Sequence, residues 1–294
     1  FKQKTAYEIR PRDWSSDMCS SDLDLLNVRA SELEERVRTE QSAGRYIGDV
    51  MQHGQASLAR LFRAGVVQEY GGVPNDANMI DGQPAEKWSM GSLITGYAIM
   101  VNANLVKPED EPKSWRDLLD PKWKGKILAD DMRALGGGSA TFSALMDLPG
   151  FGEAFHRALA RQEPVFTRDV GASERRVARG EYPIWVPQIS VNVQGLKGLP
   201  IRVIVPKEGV AYVRLDHAML KNAPRPNAAR LFMNYYLSEE NQVLAGSMGI
   251  FPVVKGAAEK VPKELRVMEG ATLMGTSHVD SQTRYLALAT EIYK

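Results

Sequence analysis

The sequence predicts an α/β protein built from two domains or lobes, with mainly parallel sheets. Segments with the pattern of buried strands alternate with amphipathic helices along most of the chain, which is the order typical of α/β folds. The chain has 294 residues, about twice the length of a common domain. No Pro- or Ser-rich linker separates the two halves, so we expect the chain to pass between the lobes on ordered strands.

Apolar stripes and capping residues predict the helices. Leu58, Leu61 and Val66 repeat at helical spacing, Ser114 has the position of an N-cap, and Pro226 that of a first helical turn. The predicted helices cover residues 29–44, 57–70, 112–121 and 139–148, a segment from there to about 162, residues 173–179, and two segments that begin at 226 and 238.

Short runs rich in Val, Ile and other apolar residues predict the strands. Most are bounded by glycine, proline or polar residues, which are typical of turns. The predicted strands cover residues 47–51, 96–102, 126–129, 183–186, 201–205 and 210–220. The alternation of these strands with the helices sets the expected fold class.

The composition excludes several classes of protein. Hydrophobic residues make up 44% of the chain and charged residues 25%, as in ordinary globular proteins. The 37 Lys and Arg balance 36 Asp and Glu to a net charge of +1. We therefore expect no nucleic-acid partner, since such proteins usually carry a basic excess. No apolar run reaches the ~20 residues of a membrane-spanning helix.

The motifs of common enzymes and metal sites do not occur in the sequence. There is no P-loop, no GxSxG elbow and neither an HExxH nor a CxxC motif. The glycine run at 136–138 does not fit the dinucleotide-binding pattern. We therefore predict no catalytic activity, no cofactor and no metal ligands.

Residues 1–23 do not share the pattern of the rest of the chain. The runs KQKTAYEI (2–9) and DWSSDMCSSDL (13–23) resemble the conceptual translation of a sequencing-library adapter; the alternative is a genuine disordered N-terminus. Cys19, the single cysteine, lies in this segment, so thiol and disulfide chemistry is excluded from the remainder. We expect the segment to pack consistently against neither lobe.

Two predicted helix starts are candidate anion sites. Gly138, Ser139 and Ala140 follow a buried strand, and Asp169 precedes Ser173 at a later helix start. Backbone N–H groups and the helix dipole attract anions at such positions, although Ser139 can also serve as an ordinary N-cap. Other polar groups follow strands, where α/β folds place ligands: His53, and the carboxylates Asp130 and Asp131.

From about residue 29 onward the chain resembles the periplasmic solute-binding proteins of bacterial ABC importers. The branch concerned is the one usually labelled ferric-iron transport, among the family 1 extracellular solute-binding proteins. The resemblance lies in ERVRTEQSAGRYIGDV (35–50), GYAIMVNANLV (96–106), PKSWRDLLDPKWKGKILADD (112–131), VIVPKEGVAYV (203–213) and NAPRPNAARLFMNYYLSEENQ (222–242).

This resemblance implies the type 2 periplasmic-binding fold, two α/β lobes that close on ligand about hinge strands. Lobe one would comprise residues 24–102 and 206–294 and lobe two residues 103–205, with crossings near 101–104 and 203–207. The family's first strand and helix would precede residue 24, so we expect this βα unit to be missing. The resemblance also implies a monomeric periplasmic receptor that delivers a small-molecule solute to an ABC permease in the inner membrane.

The resemblance argues against ferric iron as the ligand. The positions of the family's tyrosine pair and glutamate carry Ser190, Val191 and Gly54, which supply no anionic oxygen. The positions that contact the anion match better, and they imply a small anionic organic or phosphorylated solute. The expected ligand-binding residues are His53, Gln55, Gly138, Ser139, Ala140, Ser173 and Gln188, with Tyr212 as an apolar wall.

Several alternatives stay open at this point. A receptor of the same fold could bind ferric iron with a synergistic anion, or a polyamine through Asp130, Asp131 and Asp169. A protein of another class on this fold could be an enzyme, such as a tetrapyrrole-forming transferase, or the effector domain of a transcription regulator. The transferase needs a cofactor-bearing cysteine, which residues 24–294 lack.

Overall fold

The computed structural model describes residues 23–28, 30–80, 86–276 and 278–294. The expectation for residues 1–22 therefore lies outside the described residues. The helices are α1 (Ala30–Ser42), α2 (Gln55–Arg63), α3 (Gly137–Asp147), α4 (Gly152–Ala160), α5 (Val170–Ala178), α6 (Pro226–Tyr236), α7 (Glu239–Ser247), α8 (Ala257–Lys260) and α9 (Val279–Ile292). The strands are β1 (Val50–Gly54), β2 (Val67–Gln68), β3 (Met90–Asn102), β4 (Ile127–Asp130), β5 (Val165–Thr167), β6 (Ile184–Ile189), β7 (Ile201–Ile204), β8 (Val210–Leu220) and β9 (Leu273–Gly275).

The capping residues seen in the sequence act as predicted, but some bounds differ. The Ser114 and Ser238 side chains accept backbone N–H groups at helix starts, although the helix after Ser114 is a short 3₁₀ segment, Trp115–Leu119. The helix predicted over 57–70 ends early, because Gly65 adopts a φ of +70° that stops it and β2 follows. None of the helices within the described residues is long and apolar enough to cross a membrane.

The sheet runs in the order β1-β8-β3-β6-β4-β5, with β2 and β9 beside β8 and β7 beside β3. The prediction of mainly parallel sheets is wrong for the described strands. Only the pairs β4–β5, β4–β6 and β8–β9 are parallel, whereas β1–β8, β2–β8, β3–β6, β3–β7 and β3–β8 are antiparallel. The long strand β3 runs antiparallel to all three of its neighbours, and β8 also runs antiparallel to β1 and β2.

Strand β3 joins the two halves of the sheet. Its first part, up to Tyr97, pairs with β8, and its last part pairs with β6 and β7. Tyr97 is the point of exchange, because it faces Ala211 of β8 and Ile189 of β6. All thirteen residues of β3 are buried, which is typical of a strand covered on both faces. The C-terminal end of β6 and the N-terminal end of β8 therefore meet at Tyr97. This residue precedes the crossing between lobes predicted at 101–104.

Two main buried clusters lie toward opposite ends of β3. One contains Val101 with Trp115 and Phe142, and the other contains Ile94 with Met233. A hydrophobic core of this kind supplies most of the favourable free energy of folding. The two cores agree with an organisation in two lobes, while the bounds 24–102, 206–294 and 103–205 stay a prediction.

Helix α9 contacts residues of both predicted lobes. The prediction assigns residues 206–294 to lobe one, but Tyr285 and Tyr293 pack in the cluster of Phe142, which lies in 103–205. The Tyr293 hydroxyl lies 2.9 Å from Nδ1 of His156, and the Tyr293 carbonyl accepts a hydrogen bond from Arg133. Helix α9 also contacts α2, so it touches both halves of the molecule.

The Tyr293 side chain is expected to anchor the chain end, so Tyr293→Ala should lower the free energy of unfolding by about 3–5 kcal/mol. The substitution leaves a cavity and removes a hydrogen-bond partner of the buried His156. Urea denaturation measures the loss. Lys294→Ala is the matched control, because Lys294 is exposed. Equal stabilities of the two variants would contradict the anchoring role.

Candidate functional site

At the start of helix α3, a backbone N–H group is hydrogen-bonded to a carboxylate of the protein itself. Strand β4 ends at Asp130, whose Oδ2 accepts a hydrogen bond of 2.7 Å from the backbone N–H of Gly138. The Ser139 hydroxyl accepts a hydrogen bond from the N–H of Gly136 and donates one to the Gly136 carbonyl. The sequence predicts a ligand anion on these N–H groups. In the structure the N–H groups of Gly136 and Gly138 have partners within the chain.

Close packing fixes the position of this helix start. A Cβ on Gly138 would lie 2.5 Å from the carbonyl oxygen of Asp130, so only glycine fits there. A Cβ on Gly137 would lie 2.8 Å from the Tyr97 ring. Tyr97 is buried, and burial together with the nearby Asp130 charge raises the pKa of its phenol. The phenol is therefore neutral at physiological pH, beside the point where β3 changes partners.

The starts of α2 and α3 both lie near Val213 of β8. A Cβ on Gly54, the residue before α2, would lie 3.6 Å from Val213. Val213 also packs against the cluster that contains Tyr97 and Ala140, at the start of α3. Val213 therefore lies beside the residue before α2 and packs against the cluster at the start of α3. Gln55, half-buried, is the first residue of α2.

The start of α5 and the end of β6 form a buried polar cluster. Ser173 is buried and donates a 2.6 Å hydrogen bond to the Asp169 carbonyl. Gln188 is fully buried, and its Nε2 donates to Oε1 of Glu174 at 2.8 Å. Asn192 donates to the same oxygen at 2.9 Å. Burial raises the pKa of Glu174, although hydrogen bonds from Asn192 and Gln188 oppose the shift.

Sequence reasoning identifies Gln188 and Ser173 but misses Glu174, Asn192 and Tyr97. Glu174 lies in the charged run of α5 and has the pattern of a solvated helix residue. Nothing in the local sequence separates it from its exposed neighbours, because its partners come from another element. Tyr97 could have been found from its position in the strand predicted over 96–102, which leads into the predicted lobe crossing at 101–104.

His53 is placed differently from its prediction. The sequence predicts it in a loop after residues 47–51, but β1 continues to Gly54 because it pairs with β8 over that length. Its Nε2 lies 3.3 Å from the Ala30 carbonyl and 3.5 Å from the Glu34 carboxylate, which also binds Arg60. Burial lowers the pKa of His53. The side chain is therefore covered by α1, away from the start of α3.

Tyr212 also lies away from the start of α3. It precedes Val213 in β8, and successive side chains of a strand point to opposite faces. Val213 faces the cluster of Tyr97, whereas Tyr212 packs against the cluster of Ile94 and Met233. Gly138, Ser139 and Ala140 therefore lie together at the start of α3, and neither the His53 nor the Tyr212 side chain packs there.

The three carboxylates considered as ligands for a polyamine, Asp130, Asp131 and Asp169, already form hydrogen bonds or ion pairs within the chain. Asp131 forms ion pairs of 2.7 Å with Arg133 and 2.9 Å with Arg168. Burial favours its neutral form, but these hydrogen bonds outweigh burial and hold the pKa of Asp131 below its ordinary value. Asp169 accepts the Ala172 N–H as the N-cap of α5. Among the residues that the structure describes, no group of three or more His, Cys, Asp or Glu is placed to hold a metal ion.

The arrangement offers hydrogen-bond donors and acceptors to a small polar molecule. Donors include the Asn192 amide and the Gln55 side chain, while acceptors include the carboxylates of Asp130 and Glu174 and the carbonyl of Gln188. Asp130 ends β4, and Gln188 lies near the end of β6, which pairs with both β4 and β3. Polar groups at strand ends are typical of ligand sites in α/β proteins.

Comparisons with known sequences agree with this architecture. Residues 51–274 match a family model described as bacterial extracellular solute-binding protein. An uncharacterized protein of Haemophilus influenzae is 31% identical over 144 residues, which cover 48% of this chain and 42% of that protein. The match therefore spans less than half the length of this curated relative.

Solved structures show the same fold. The periplasmic binding protein AfuA of Actinobacillus pleuropneumoniae, with fructose-6-phosphate bound, has a TM-score of 0.72 at 20% identity, over 89% of this chain and 87% of AfuA. FutA of Trichodesmium, in complex with iron and citrate, has a TM-score of 0.71 at 22% identity, over 92% and 91%. An ABC-transporter substrate-binding protein of Agrobacterium tumefaciens has a TM-score of 0.75 at 16% identity, over 90% and 84%. The predicted fold class, α/β with the two lobes of periplasmic binding proteins, is confirmed.

Proposed function

Because the chain belongs to the bacterial extracellular solute-binding proteins, we propose that it is the receptor of an ABC importer. It captures a small solute between two lobes in the periplasm and delivers it to a permease in the inner membrane. The observation that carries this proposal is the position of Val213, which lies beside Gly54 at the start of α2 and packs against the cluster of Tyr97 and Ala140 at the start of α3. A solute held there contacts segments from both ends of β3 and can stabilise a closed state.

We propose that the solute carries an anionic group and that this group binds at the start of α2. The starts of α3 and α5 are bound by the carboxylates of Asp130 and Asp169. By contrast, the start of α2 has no side-chain cap and no acidic residue in its first turn. Among these three helix starts, nearby carboxylates neutralise the positive end of the helix dipole least at α2. Gln55 adds a side-chain donor at this position. This position replaces the α3 start favoured by the sequence.

A thermal-shift panel with the full chain tests both proposals. The panel contains sugar phosphates, carboxylates, phosphonates, polyamines and ferric citrate, and small-angle scattering follows the shape. We expect an anionic organic solute to raise the stability by about 2.7 kcal/mol at a hundred times its Kd, and to make the protein more compact. Stabilisation by ferric iron alone, with a tyrosinate absorption band, would contradict the proposed solute.

Gln55→Glu gives a sharper test of the anion's position. The new carboxylate is expected to stabilise α2, because acidic residues favour helix starts, and yet to weaken binding of the anion about ten- to a hundredfold. Asn227→Glu is the matched control, since it adds the same charge at the exposed start of α6. If both variants bind the anion equally well, the anion does not lie at α2.

A further inference from the structure

The side-chain carbonyl of Gln188 is a buried acceptor whose hydrogen-bonding capacity is unused. Both amide N–H groups are engaged, one with Oε1 of Glu174 at 2.8 Å and one with the Ile189 carbonyl at 3.0 Å. These bonds fix which end of the amide is the carbonyl. Gln188 is fully buried, and its Oε1 has no hydrogen-bond partner among the described residues. Native proteins rarely leave such an atom unsatisfied.

A second acceptor lies beside it. The Glu174 side chain is buried, and its Oε1 receives the amides of Gln188 and Asn192. The charge of Arg175 acts on Glu174 and lowers its pKa, but within the described part of the chain no Lys, Arg or His forms an ion pair with this carboxylate. A buried carboxylate without an ion-pair partner is costly unless it is protonated or a positive group arrives. Burial raises its pKa, which agrees with this imbalance.

The cluster lies at the same edge of the sheet as the candidate site. Strand β6 pairs in parallel with β4, with Val186 opposite Ala129, so Gln188 follows just beyond the level of Asp130. Parallel strands present their carboxyl ends at one edge, where ligands of α/β folds bind. A group that satisfies Gln188 and Glu174 together must donate hydrogen bonds and carry positive charge. A primary ammonium has three N–H donors and one positive charge.

We propose that Gln188 and Glu174 form a subsite for a primary ammonium group of the solute. The solute is then zwitterionic, with its anionic group at the start of α2 and its ammonium group at this cluster. The proposal that the whole solute is zwitterionic rests on the proposed receptor function, whereas the ammonium subsite does not. Its own chemistry can be tested without knowing that solute.

The first experiment uses methylammonium and tetramethylammonium chloride with the full chain, at equal ionic strength. The two cations have the same charge, but tetramethylammonium has no N–H donor. We expect a saturable rise in Tm with methylammonium and none with tetramethylammonium. Glu174→Gln should weaken the methylammonium response about tenfold or more, whereas Glu153→Gln, at an exposed carboxylate of α4, should leave it unchanged. Equal responses to the two cations, or a full response of Glu174→Gln, overturn the subsite.

The second experiment compares solutes that differ at one position, where an amine replaces a hydrogen in one pair and a hydroxyl group in the other. The pairs are γ-aminobutyrate with butyrate, and glucosamine phosphate with glucose phosphate. We expect the receptor to prefer an aminated member about ten- to a hundredfold, and this preference should disappear in Glu174→Gln. Equal binding of both members of a pair overturns the ammonium subsite and leaves the receptor function standing. A methylammonium response with no organic anion bound in the wider panel supports the subsite and counts against the anionic class of solute.

Discussion

Acidification below about pH 6.5 is expected to destabilise the protein through two buried histidines, by roughly 5 kcal/mol for each when the pH reaches about 3. His156 is fully buried between the Tyr293 hydroxyl and the Phe142 carbonyl, and its ring stacks on Phe142. His217 is buried beside the rings of Phe232 and Tyr236. Burial lowers the pKa of each imidazole from 6.5 to about 3.

The direction of the effect follows from proton binding. The unfolded chain binds protons at these histidines below about pH 6.5, while the folded chain binds them only near pH 3. The stabilisation is therefore complete above pH 6.5 and is lost progressively as the pH falls toward 3. Glu174 and Asp216 act in the opposite sense, because burial raises the pKa of each carboxyl and so favours the folded state at low pH. His53 and Asp131, whose pKa values are lowered, act in the same sense as the two histidines, so we expect a net loss of stability in acid.

Urea unfolding between about pH 7 and pH 4 measures this loss. His217→Phe keeps an aromatic ring in the same space but cannot bind a proton, so its stability should fall about half as steeply with pH. His278→Gln, at an exposed position before α9, is the control and should follow the unmodified chain. A free energy of unfolding that stays constant down to about pH 4 would show that the histidines do not control acid stability.

Gly138→Ala is expected to lower the free energy of unfolding by about 3 kcal/mol, from overpacking and the loss of a helix cap. The added methyl group meets the Asp130 backbone, which no side-chain rotation can move, and it displaces the N–H that Asp130 holds. The same shift moves the α3 start away from Val213. We therefore expect solute binding to weaken together with stability.

Gly195→Ala is the matched control for this substitution. A Cβ on Gly195 has no atom within 4 Å, and its φ is not positive. The change should therefore leave stability within about 0.5 kcal/mol or raise it slightly, because alanine restricts the unfolded chain. Urea denaturation and the thermal-shift panel compare the variants. Similar losses in both would mean that close packing at Gly138 does not hold the α3 start.

The sequence predicts local features of this fold better than long-range ones. The N-caps Ser114 and Ser238 and the first-turn Pro226 depend on neighbouring residues, so their patterns predict them directly. Strand direction depends instead on pairings across the chain. Nothing within 96–102 indicates that β3 begins at Met90 and changes partners at Tyr97. The prediction of parallel sheets failed for that reason.

The candidate site shows the same limit. The glycine run at 136–138 correctly predicts a helix start, but the carboxylate that binds it comes from Asp130, across the turn after β4. The cluster of Glu174 depends on Gln188 and Asn192, which reach it from the end of β6 and the loop that follows. Partners that are distant in sequence and individually ordinary in type leave no local pattern.

Helix α9 determines how the two halves can move apart. Its C-terminal end is held by the buried Tyr293, whereas its link to α2 includes the ion pair between Arg63 and Asp280, which are both exposed. An exposed ion pair contributes only ~0–1 kcal/mol. If the halves separate, we therefore expect α9 to stay with the core of Phe142 and to release α2. This ion pair is then expected to add little to the free-energy cost of opening.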